Sequence, residues 1–244
     1  MKAAAGLERY LESAKYEARP RRGSLSDPPH VHRPVITISR QAGSGAHVVA
    51  AELVARLQAQ AGLGSPPWTI FDRDLVDKVL KDHELPERLA EFMPEDRVSG
   101  IADSVDELFG VRPSTSTLVR KTADTILRLA ELGNVVLIGR GANIVTRKLD
   151  YAFHARLVGS VRCRVRYLEG YLHLSPRAAA EYVRKEDLGR KRYVKKYYAE
   201  DIDDPLLYHL VINTDRVSYV EAARMIAEAV SAHPEAPRSV AVGT

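Results

Sequence analysis

Cysteine is almost absent from this chain. Cys163 is the single one in 244 residues, which excludes an intramolecular disulfide and a cysteine-held metal cluster and fits a reducing compartment. Long apolar runs are missing too: none approaches the ~18 residues that read as a membrane-crossing helix, and the N-terminal stretch has no apolar signal core. The expectation is a cytoplasmic protein with no membrane partner. The eight histidines show no spacing such as H-E-x-x-H, so no protein-held metal is expected. Internal repeats are absent as well. What is present is a hydrophobic fraction of 45%, enough for a real core and too high for overall disorder. The length suits one large α/β domain with an appendage. A net charge of +4 and a pI near 9.1 are compatible with phosphate ligands and decide nothing alone.

The chain is organised around Val35-Ile36-Thr37-Ile38-Ser39, a β-branched run that leads into Arg40-Gln41-Ala42-Gly43-Ser44-Gly45 and then a helical pattern from about Ala46 to Leu57. The near-continuous apolar run predicts a strand covered on both faces. Gly43 and Gly45 permit a sharp turn with no Cβ in the way of a ligand, and the helix that follows opens with free N–H groups, a place for phosphate. A tight strand-to-helix turn without a ligand is the other reading. A full phosphate loop is G-x-x-x-x-G-K-[ST]. Here Ala46 stands in place of the lysine, and Val48 stands where the kinase variant of the loop has its magnesium-binding hydroxyl.

Upstream, residues from about Ala3 to Ala18 have helical spacing, and a basic, proline-containing linker follows to Pro34. Downstream, Trp68-Thr69-Ile70-Phe71 predicts a second strand ending in Asp72-Arg73-Asp74, where ligands of open α/β sheets lie; the same aspartates could equally cap a helix. His83 to Ser116 reads as short helical pieces between prolines. Thr117 to Leu132 predicts a helix stopped by Gly133-Asn134. Val135 to Ile138 predicts a third strand ending in Gly139-Arg140-Gly141-Ala142-Asn143, and Phe153 to Val158 a fourth, with His154 and Arg156 on one face. Between His154 and Tyr198 twelve Lys and Arg stand against four Asp and Glu. Ser175-Pro176 opens a helix expected to run to about Lys185 and to resume toward Tyr198. Leu210 to Asn213 predicts a fifth strand and Tyr219 to Ala232 a last helix. Strands alternating with helices predict a parallel sheet. The domain plan is residues 1–33 as N-terminal helix and basic linker, 34–232 as the domain, and 233–244 as a flexible tail.

ITISRQAGSG, FDRDL, VVLIGRGANIV, KEDLGRKRYVKKYY and LVINTD stand in the order and spacing of the cytidylate kinase-like family, which the chain resembles from about Val35 to Val230. The resemblance implies an α/β fold of the P-loop nucleoside triphosphate hydrolase type: a central parallel five-stranded sheet, helices on both faces and a helical lid. It also implies phosphoryl transfer from ATP, with Mg²⁺ carried by the nucleotide, to a nucleoside monophosphate. The family's loop often has a second glycine pair with arginine in place of G-K-[ST]. By position, Gly43, Ser44, Gly45, Ala46 and His47 match the donor loop. Arg140 matches the arginine that grips the acceptor phosphate in a G-R-D segment whose aspartate is here Gly141, a change that bears on cytosine specificity. Asp72 matches the residue that opens the acceptor pocket, and Arg73 is its neighbour. Asp187, Arg190 and Tyr193 match the D-x-x-R-x-x-Y pattern of the lid, with Arg192 a further candidate.

A kinase without the loop lysine needs other cations. Arg40, at the head of the loop, is the first candidate and Arg190 and Arg192 the second; Asp72 is a candidate for reaching magnesium through water. Two other classes fit the residues. One is a nucleotide-binding protein without catalysis, supported by the missing lysine and hydroxyl. The other is a nucleic-acid-binding protein using the basic segment, weakened by tyrosines spread as for packing and not as a stacking platform.

Overall fold

The computed structural model describes residues 33–61, 66–72 and 115–233. The expected N-terminal helix, the flexible tail beyond His233, Arg73, Asp74 and most of the proline-punctuated stretch before Thr115 lie outside the described residues. In chain order the elements are β1 (Val35–Arg40), α1 (Ala46–Gln60), β2 (Thr69–Phe71), α2 (Thr115–Leu132), β3 (Val135–Ile138), α3 (Ala142–Val145), β4 (Ala152–Val158), α4 (Val161–Leu172), α5 (Pro176–Tyr198), β5 (Leu210–Asn213) and α6 (Tyr219–Ala232), with a short 3₁₀ turn at Pro205–Leu207 before β5. The five strands form one parallel sheet in the order β2-β3-β1-β4-β5, so the expected sheet is present and β1 lies at its centre.

Alternation along β1 explains both layers. Ile36 and Ile38 point to one face, where they meet α1 through Val49, Ala50 and Leu53 and α6 through Ala223, Ile226 and Ala227. Val35 points to the other, joining Val135, Leu137 and the Ile126, Leu129 and Ala130 stripe of α2. Each of these side chains is at most 5% exposed, and full burial of an aliphatic side chain contributes about 1.5–3 kcal/mol.

On the α2 side the sheet turns polar between β1 and β4. Thr37 pairs with His154 and Ser39 with Arg156 in the strand register, and all four are buried. Thr37 Oγ1 and His154 Nδ1 are hydrogen bonded at 2.9 Å. Arg156 donates to Ser39 Oγ at 2.8 Å and to Asp203 Oδ1 at 2.7 Å. The irregular alternation of β4 is therefore a buried polar column. Burial first, and then His209 and His233 nearby, push the His154 imidazole down to about 4.

Two helices differ from the sequence reading. α4 has no counterpart in it, because its buried residues are Arg164 and Leu168, and an arginine on the inward face hides the apolar period. α5 is one unbroken helix of 23 residues, not two pieces. Its start is as expected, with Ser175 accepting from the Ala178 amide and proline at the first position. Gly189 is buried within it.

Candidate functional site

The C-terminal ends of β1, β3 and β4 converge with the lid-like α5. The turn from β1 into α1 is spliced to β4: the Gln41 amide donates to Leu157 O at 3.0 Å, and Gln41 Oε1 accepts from the Gly159 amide at 2.9 Å. Gly43 and Gly45 both have φ of +78°. A Cβ at Gly43 would lie 2.5 Å from Arg164 O, and one at Gly45 would strike the Tyr219 ring, so both positions require glycine for conformation and for space. Ser44 is closed on itself, its hydroxyl donating to Gln41 O at 2.8 Å. The amides of Gly43, Gly45, Ala46, His47 and Val48 have no acceptor among the described residues. A left-handed turn followed by free helix-opening amides is a nest for an anion, and these backbone groups fit the phosphates of a nucleotide.

Asp72 at the end of β2 stands beside this loop. Its carboxylate meets His47 Nε2 at 2.9 Å and Arg40 at 3.5 Å. Arg40, the first candidate for a substitute cation, pairs with Asp72 and also lies on the wall of the adjoining pocket. His47 is exposed.

That pocket is open to solvent, and its polar lining is Ser39, Arg40, Arg140, Asn143, Arg190 and Tyr193. Arg140 is buried, and its φ of +55° is left-handed. Such a conformation costs a non-glycine residue roughly 1–2 kcal/mol. Tyr198 at the end of α5 holds the turn: its hydroxyl donates to Arg140 O at 3.3 Å, and its ring fills the space over Gly141. Burial raises the Tyr198 phenol, which keeps that proton in place. Arg190 reaches the pocket from α5, held from behind by Glu186 at 2.7 Å and Asp187 at 3.5 Å. Tyr193 packs with Val119, Ile144 and Val194 into a small core between α5, α2 and α3.

Asp187 is the strap between lid and loop. It accepts from the Ala42 amide at 2.7 Å and from Arg164 at 2.6 Å. Arg164, buried on α4, also donates to Ala42 O at 3.0 Å and to Gly159 O at 2.9 Å. Asp187 thus touches the glycine loop and is not among the pocket residues. Arg192 is exposed on α5 and is not among the pocket residues, so the structure does not bring it together with Arg40, Arg140 and Arg190. The sequence reading missed Arg156 and Arg164, for which a basic segment gives no signal, and Asn143, which was visible inside the VVLIGRGANIV motif. Among the described residues no group of acidic, histidine or cysteine side chains could hold a metal, and no helix is long and apolar enough to cross a membrane.

A model of the cytidylate kinase-like family matches residues 35–216. No match was found among curated proteins. Of solved structures, an uncharacterized protein from Eubacterium ventriosum is similar at a TM-score of 0.61 and 19% identity, covering 82% of this chain and 99% of its own; that likeness is one of fold. Shikimate kinase from Bacteroides thetaiotaomicron aligns with a TM-score of 0.45 at 12% identity, over 81% of this chain and 98% of its own. Shikimate kinase from Acinetobacter baumannii, in complex with shikimate, aligns with a TM-score of 0.44 at 14% identity, over 82% and 94%.

Proposed function

We propose a function from one premise: the chain belongs to the cytidylate kinase-like family. It transfers a phosphoryl group from ATP to a nucleoside monophosphate. The observation that carries this reading is the gathering of Arg40, Arg140 and Arg190, from two strand ends and the lid helix, around one pocket beside the glycine loop. Phosphoryl transfer asks a protein chiefly for alignment and for positive charge around the migrating group.

In this reading the unpaired amides from Gly43 to Val48 hold the donor phosphates. Arg140, fixed at the end of β3, holds the acceptor phosphate, and Arg40 lies between the two sites. Arg190 closes from the lid, with Tyr193 packing that helix against α2 and α3. Magnesium, when bound with the nucleotide, neutralises charge on the β- and γ-phosphates. The protein offers it little: Val48 has no hydroxyl, and the Asp72 carboxylate is engaged by His47 and Arg40, so Asp72 acts through water. Guanidiniums grip two oxygens at once but follow a moving group less freely than lysine, which fits a slow enzyme.

The test is turnover on a panel of nucleoside monophosphates with ATP and magnesium, read by nucleotide separation. Diphosphate formed from at least one acceptor is the expected result. ATP binding without transfer to any acceptor would replace this reading with that of a nucleotide sensor, the reading favoured by Ala46 and Val48 in the loop.

A further inference from the structure

We infer that the side-chain amide of Asn143 is an acceptor-binding group that donates a hydrogen bond to a phosphate oxygen; this rests on the acceptor pocket proposed above. Asn143 is 7% exposed and lines the pocket, yet its Nδ2 is buried with no hydrogen-bond partner. Folded proteins avoid leaving such donors unpaired. One left so on the wall of a pocket is explained by a partner that comes from outside the protein.

The chemistry of that partner follows from the neighbours. Among the described residues, the charged side chains lining the pocket are Arg40, Arg140 and Arg190. Asp72 pairs with Arg40, and Glu186 and Asp187 pair with Arg190, from outside that lining. A pocket of donors takes an anion rich in acceptor oxygens, and a phosphate monoester is that ligand. The amide adds direction without adding charge. It is also fixed in place: α3 begins directly after the Gly141 turn, which Tyr198 packs against.

An unpaired amide and a structural amide respond differently to an isosteric apolar replacement. Removing a buried donor that bonds nothing leaves the free protein as stable as before or more so. The full-length chain is therefore titrated calorimetrically with cytidine monophosphate, with inorganic phosphate and with ATP, and its melting temperature is recorded. In Asn143→Leu, affinity for cytidine monophosphate and for inorganic phosphate should fall about tenfold, or 1.4 kcal/mol. ATP affinity should stay within about twofold, and melting should occur no lower than in wild type. Asn143→Asp should lose more, because a carboxylate then faces the phosphate. A folded Asn143→Leu with unchanged affinity for both ligands overturns the inference. So does a lowered melting temperature with equal loss for ATP, or failure to fold, since each marks a structural amide. A wild type that binds cytidine monophosphate but transfers nothing removes the kinase reading while the Asn143 comparison still decides this one. A wild type that binds neither cytidine monophosphate nor phosphate removes both.

Discussion

The glycine loop and the arginine-lined pocket lie side by side and are built on opposite plans. The loop is backbone: two left-handed glycines, free amides, and an alanine where a full phosphate loop has its lysine. The pocket is side chain: three arginines and an amide, brought from β1, β3, α3 and α5. The loop's shape is kept by contacts with residues outside it, Gly159 against Gln41 and Asp187 with Arg164 against Ala42. The lesson is that shape and charge, joined in one motif by an ordinary phosphate loop, are here divided between two neighbouring structures.

The division can be broken most forcefully at Arg164. Arg164→Met strips a buried ion pair of one partner, and the expected loss is roughly 3–5 kcal/mol in denaturant unfolding. Unchanged stability would mean that the loop keeps its shape without α4. Arg40 stands on the border between the two regions. Arg40→Ala should lower turnover by about 2.7–4 kcal/mol in barrier, with a smaller effect on ATP affinity; equal losses would make Arg40 a loop residue only. The polar column below both regions sets the conditions for these comparisons. The His154 pKa is depressed to about 4 from an ordinary 6.5, so its neutral form is the folded form. Stability is full above pH 6.5 and falls as pH drops toward 4, by about 3 kcal/mol; His154→Gln should flatten that part of the pH–stability curve. Arg140→Ala tests the pocket itself. It should weaken a nucleoside monophosphate by about 1.5–3 kcal/mol and ATP by less. The smallest effect belongs to Arg192. It is exposed, and Arg192→Ala should change stability and both affinities by less than about 0.5 kcal/mol. A loss as large as that at Arg140 would put Arg192 into the site and redraw the pocket.

The strands were legible because β-branched runs such as Val35–Ile38 and Val135–Ile138 are buried on both faces and leave no polar alternation to misread. The glycine turns at Gly43, Gly45 and Gly141 were legible because only glycine suits a crowded left-handed position. Arg140 was legible through its glycine neighbours. What stayed hidden were two buried arginines outside the quoted motifs. Arg156 and Arg164 sit in a segment whose composition suggests a solvated basic face, yet both are below 5% exposed. Burial of an arginine depends on partners far away in sequence, Ser39 and Asp203 for one, Ala42 and Asp187 for the other. No local pattern announces such a partner. Arg192 shows the converse, since its spacing in the lid resembles that of Arg190 but its side of the helix faces solvent.

Ala46 sits where a longer side chain has little room. Its side chain is 6% exposed and belongs to the same apolar cluster as Val49, Leu53 and Ile38. Extra methylenes forced into a packed interior cost about 1–3 kcal/mol before any charge is considered. A lysine placed at this position is therefore expected to destabilise the fold, with Tyr219 and Gly45 already closed against each other beside it. Positive charge for this site has room instead in the pocket, where Arg40, Arg140 and Arg190 already stand.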